Sequence, residues 1–176
     1  MSRDTEIFPP DTFPTDVVAA ADAAAAALMD EPVDVAESPL GPHRESMRRA
    51  KLLVAVYLSP TSAFAGDPAA VARAERYASV LAELQSPTGL FLGGDNVESP
   101  PDSGFTINDV GDILELIRRS GDDRLSALGT MLGAIADRAA PAMLAGGVHT
   151  PNHRWELTAA LARLHRHRPD ERLVER

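Results

Sequence analysis

The chain has 176 residues, of which 44% are hydrophobic and 24% charged, with no cysteine and a net charge of −9. That length and balance suit one domain with a real core and exclude wholesale disorder. The missing thiols exclude a disulfide scaffold, a cysteine nucleophile and a thiolate metal site, and the negative charge argues against nucleic acid as a partner. No apolar run reaches membrane-spanning length, and the start, MSRDTEIFPPDTFP, is polar and proline-rich rather than leader-like. A cytoplasmic protein with no membrane partner is the expectation.

In chain order, residues 1–14 read as an arm, 15–168 as a helical-hairpin domain and 169–176 as a charged tail that frays. DVVAAADAAAAALMD, behind Thr15, is almost pure helix former, with Val17, Val18, Ala21, Ala25 and Leu28 as its apolar stripe. A second helix starts near Pro42 or His43, faces inward through Met47, Ala50, Val54 and Tyr57, and ends before Pro60. Asp67 and Pro68 make a strong start for a third, running to about Gln85. Residues 86–105 are rich in Gly, Pro and Asp and read as a long connection. Thr106 and Asp109 then form a capping box, Gly121 ends that helix, and Asp122 opens the next, which Pro141 kinks or shortens. Thr150 and Pro151 begin a last helix. No segment alternates with period two, so the fold is all-α: six helices in antiparallel hairpins.

Two stretches carry the chemistry, and both lead into helix starts. In GGVHTPNHRWE, His153 and Arg154 fall in the first turn, where positive charge opposes the macrodipole. Backbone N–H groups, the Asn152 amide, His153 and Arg154 together suit an anion. His149 and His153 are four apart, but Pro151 between them keeps them off one helical face, so no metal and no cofactor is expected. In the other stretch Asp95, Asn96, Glu98 and Asp102 lie within eight positions. Their spacing is not that of a calcium loop, and Gly93-Gly94 lacks the lysine of a phosphate-binding loop. A carboxylate pair there would suit glycoside hydrolysis, whereas turns and caps alone would suit a surface loop.

Taken together, LGGDNVESPPDSGFTINDV and GGVHTPNHRWELTAALA resemble the N-terminal part of helical-toroid proteins of the heparinase II/III-like, polysaccharide-lyase kind. The resemblance spans roughly residues 38–165 and is most specific at His149–Trp155. It implies a partial (α/α) toroid whose loops line a cleft for an anionic saccharide cleaved by β-elimination. It further implies that Asn152 and His153 neutralise the substrate carboxylate and handle the proton. His149 and Arg154 would be neighbours in that pocket, and Trp155, Asp95, Asn96, Glu98 and Asp102 would contact substrate. The chain holds about half the helices of such a ring, and no tyrosine follows Tyr77. Three expectations follow: part of a longer enzyme, a homo-oligomer joined across an apolar open edge, or a reduced relative that binds without cleaving. A non-catalytic interaction module is the alternative from another class.

Overall fold

The computed structural model describes residues 15–93, 98–147 and 150–175. These residues form α1 (Thr15–Asp30), α2 (Pro42–Leu58), α3 (Pro68–Leu84), α4 (Pro100–Ser120), α5 (Ser126–Ala145) and α6 (Pro151–His167). Short 3₁₀ turns add Asp123–Leu125 before α5 and Glu171–Leu173 after α6. The fold is all-α, and among the described residues the nearest thing to a sheet is one isolated bridge between Gln85 and Phe91.

Side-chain contacts fix the helix directions. His43 meets Asp102 and Thr106, while Lys51 meets Asp109 and Asp112, so α2 and α4 run the same way. Gly104 lies against Glu156 and Asp112 meets Arg163, so α6 runs with them. Between these, α3 returns along α2, with Arg49 reaching Tyr77 and the Gly66 N–H donating to the Tyr57 carbonyl. The start of α5 touches the end of α4 at Gly129 and Ile117, and Gly146, just beyond α5, touches Pro100. The result is a layer of three parallel helices, α2, α4 and α6, backed by helices running the opposite way.

The core takes in the expected stripe of α2, with Met47 and Val54 buried, and gathers Tyr77, Leu81, Ile107, Leu128, Leu132 and Met143 from α3, α4 and α5. Four expectations change. First, α4 begins at Pro100, not at Thr106. Ser99 accepts from the Asp102 N–H, and Pro100 sits at the first position, where its missing N–H has no role. Thr106 and Asp109 are therefore mid-helix and form no capping box. Second, α5 is not shortened at Pro141 but runs through it to Ala145, with Ala139 and Met143 buried on either side of the ring. Third, Val17 is 52% exposed, and α1 is anchored through Ala25 and Leu28 instead. Fourth, the tail expected to fray folds back: Leu173 is buried, and the Asp170 N–H donates to His165 Nδ1.

The large exposed apolar side chains among the described residues are Val17, Leu40, Leu92, Trp155 and Val174, distributed over several elements. None of the helices in the described residues is long and apolar enough to cross a membrane.

Candidate functional site

The parallel layer puts the N-termini of α2, α4 and α6 at one end. Each starts with a proline, Pro42, Pro100 and Pro151. A Cβ added to Gly93 would run into the Pro42 ring, and one added to Gly146 would run into Pro100, so both connections approach these helix starts. The two stretches singled out in the sequence thus meet at the same end. Three aligned dipoles make that end electropositive before any side chain is counted.

Two of the three first turns carry a basic pair, not one. In α6 the pair is His153 and Arg154, and no acidic residue shares the first turn. In α2 it is His43 and Arg44, balanced by Glu45 and by Asp102 from α4. The α6 start also lacks a side-chain cap: the Thr150 hydroxyl donates to the Asn152 side chain instead of accepting from the helix. Asn152, Arg154 and Trp155 are exposed, Trp155 at 77%. His153 is half-buried, and its shielded Nδ1 has no hydrogen-bond partner among the described residues.

Asp102 is committed elsewhere. Its two oxygens engage Arg44 and, at 3.3 Å, His43 Nε2, and Arg44 in turn lies 4.0 Å over the Phe105 ring. Glu98 sits in the left-handed region at φ 53, with Thr88 donating to its carboxylate at 3.0 Å. The hydroxyls of Ser86 and Thr88 hold that carboxyl below its ordinary range. Neither acid is poised as a free partner for the other. Glu156 accepts from the Asn108 amide at 2.8 Å. Asp95, Asn96 and His149 lie outside the described residues. Among the described residues no group of three histidines or carboxylates could hold a metal ion.

The residue that sequence reasoning passed over is His43. It is 1% exposed, its Nδ1 lies 2.7 Å from Thr106 Oγ1, and its ring stacks on Phe91 at 5.6 Å. A carboxylate can only accept, so Nε2–H donates to Asp102 and Nδ1 accepts from the Thr106 hydroxyl. Hydroxyl, imidazole and carboxylate in that order have the connectivity of a hydrolase triad. With Thr106 at 0% exposure, no substrate can reach the hydroxyl, and the trio serves as a polar knot inside the fold. The only sequence signal for it is the parallel between Pro42-His43-Arg44 and Pro151-Asn152-His153-Arg154.

Set against protein-family models, curated proteins and solved structures, the chain matches none of them.

Proposed function

We propose that the chain is a carbohydrate-active helical segment that binds an anionic polysaccharide at the end where α2, α4 and α6 begin. Its proposed chemistry is β-elimination centred on Asn152 and His153. The observation that carries the reading is the meeting of the two stretches at that end, on three parallel helix starts. A helical ring built from hairpins repeats this same alternation of parallel and antiparallel neighbours.

The exposed groups suit the ligand. Arg154 offers paired N–H donors to a uronate carboxylate, the uncapped α6 start offers backbone N–H groups, and Trp155 offers a flat apolar face to a sugar ring. Removing the proton beside a carboxylate develops enolate charge, which the Asn152 amide and Arg154 would stabilise. The elimination also needs a group to take the proton, and the His153 imidazole is the one at this helix start that would serve.

Calorimetric titration with a uronate-containing oligosaccharide, against a neutral one of equal length, tests binding. Arg154→Ala and Asn152→Ala should each weaken the acidic ligand about tenfold, the size of one lost charge-assisted bond. Equal affinity for both ligands, or variants that bind like the parent, would overturn the reading. Elimination takes the proton beside the carboxylate, forms a C=C bond and breaks the glycosidic C–O bond at the β carbon, whose oxygen leaves and takes up a proton from water. The product is a conjugated unsaturated uronate that absorbs in the ultraviolet. Binding without that product would retain the site and remove the chemistry. A surface for a partner protein is the second reading, favoured by the exposure of Trp155. It predicts that Trp155→Ala leaves saccharide binding untouched.

A further inference from the structure

We propose that His43 is an acid-sensitive latch: it ties α2, α4 and the 85–93 loop together at this end of the molecule, and a second proton on its ring loosens that junction. This inference goes beyond the saccharide reading and stands whether or not a ligand binds.

The geometry places one imidazole at the meeting point of three segments. His43 belongs to the first turn of α2, bonds Asp102 and Thr106 of α4, and stacks on Phe91 of the loop. The loop is tied in further by the Phe91 N–H, which donates to Ser103 Oγ at 3.2 Å, and by the approach of Gly93 to Pro42. Among the described residues the charged groups facing the ring are Asp102 from α4 and Arg44 from α2, and the 85–93 loop presents the Phe91 ring. A second proton turns Nδ1 from acceptor to donor, so the buried Thr106 hydroxyl must reverse. It also buries a cation beside Arg44, next to a carboxylate that Arg44 already shares.

The direction of titration agrees. Burial pushes the His43 imidazole below its ordinary 6.5, Asp102 pulls it up, and Arg44 pushes it down again. With the closed-state value lowered, the opened state binds more protons once the pH falls below 6.5. The closed junction is therefore intact above that pH and weakens as the pH falls from 6.5 toward the lower, closed-state value. One proton taken up on opening makes the opening constant rise up to tenfold per pH unit in that window.

Amide hydrogen exchange between pH 7 and 5, corrected for intrinsic rates, reads this directly. The amides of Phe91, Leu92 and Ser103 should lose protection as the pH falls below 6.5, by up to tenfold per unit, while those of Ile113 and Gly121 toward the other end of α4 keep theirs. In His43→Gln, whose amide can still donate to Asp102, the extra loss should vanish. Uniform loss along α4, no loss, or the same loss in the variant overturns the proposal. Should the variant fail to fold, the parent protein decides alone. The loss of protection must then set in near 6.5 and level off only where the His43 ring signals titrate by NMR, and a loss that levels off with the ring signals of His153, His165 or His167 instead refutes the latch.

Discussion

Gly89 and Gly121 both hold a left-handed backbone, at φ 92 and 61, yet their surroundings differ. At Gly121, the C-terminal cap of α4, an added Cβ meets nothing within 4 Å. Gly121→Ala should therefore cost only the backbone strain, about 1 kcal/mol. At Gly89 a Cβ would run into the carbonyl oxygen of Arg138 on α5, which cannot swing aside as a side chain would. Gly89→Ala should cost about 3 kcal/mol or more, because the loop must move off α5. Urea denaturation compares them, and equal losses would show that the loop yields freely at Gly89. The sequence marks both residues only as glycines near turns. The difference lies in a contact 49 positions along the chain, which no local pattern encodes. His43 was obscure for the same reason: an exposed and a buried histidine look alike until Thr106 and Phe91 are seen beside it.

At the scale of elements, helix existence was legible and helix starts were less so. The 3.6-residue stripes of α2, α3 and α5 follow from Met, Leu, Val and Ile placed against alanine and charge. The start of α4 is hard to read because Thr106-x-x-Asp109 has the right residue types for a cap, while Ser99, seven residues upstream, has the right geometry. The start of α6 was legible, and its chemistry is open to test. Arg154 stands where the macrodipole disfavours a cation, and no carboxylate shares its turn. Arg154→Glu should therefore raise stability by about 0.3–1 kcal/mol, a small upward shift of the melting midpoint. The same change should abolish affinity for an acidic oligosaccharide. A variant that melts lower would show that the guanidinium is part of the packing, and that its position is not a concession to a ligand.

Across the whole molecule, the parallel layer is held from outside by charge as well as from inside by packing. Asp112 stands at its centre: Lys51 of α2 lies 2.7 Å from one carboxylate oxygen, and Arg163 of α6 lies 2.8 Å from the other. Burial alone would push this carboxyl up, but the two cations hold it below its ordinary range. One residue of the middle helix thereby links both neighbours. The seam between α4 and α6 is close because Gly111 faces Arg163, whose Cβ would lie only 2.6 Å from an added one. Composition and period cannot reveal this ladder, since Lys51, Asp109, Asp112 and Arg163 read one by one as solvated helix faces. All three partners are about one-third exposed, so water screens each pair and neither is worth much more than about 1 kcal/mol. Asp112→Asn should then destabilise the fold by about 1–2 kcal/mol, since it removes both pairs and leaves Arg163 with Asn108 alone. The difference between parent and variant should shrink as salt rises toward about 1 M, where the screening length falls to about 3 Å. Denaturation of both proteins at low and high salt measures it. A difference that salt leaves unchanged would mean that Asp112 acts through its hydrogen bonds and packing, and that α2, α4 and α6 are aligned by their apolar faces without help from the ladder.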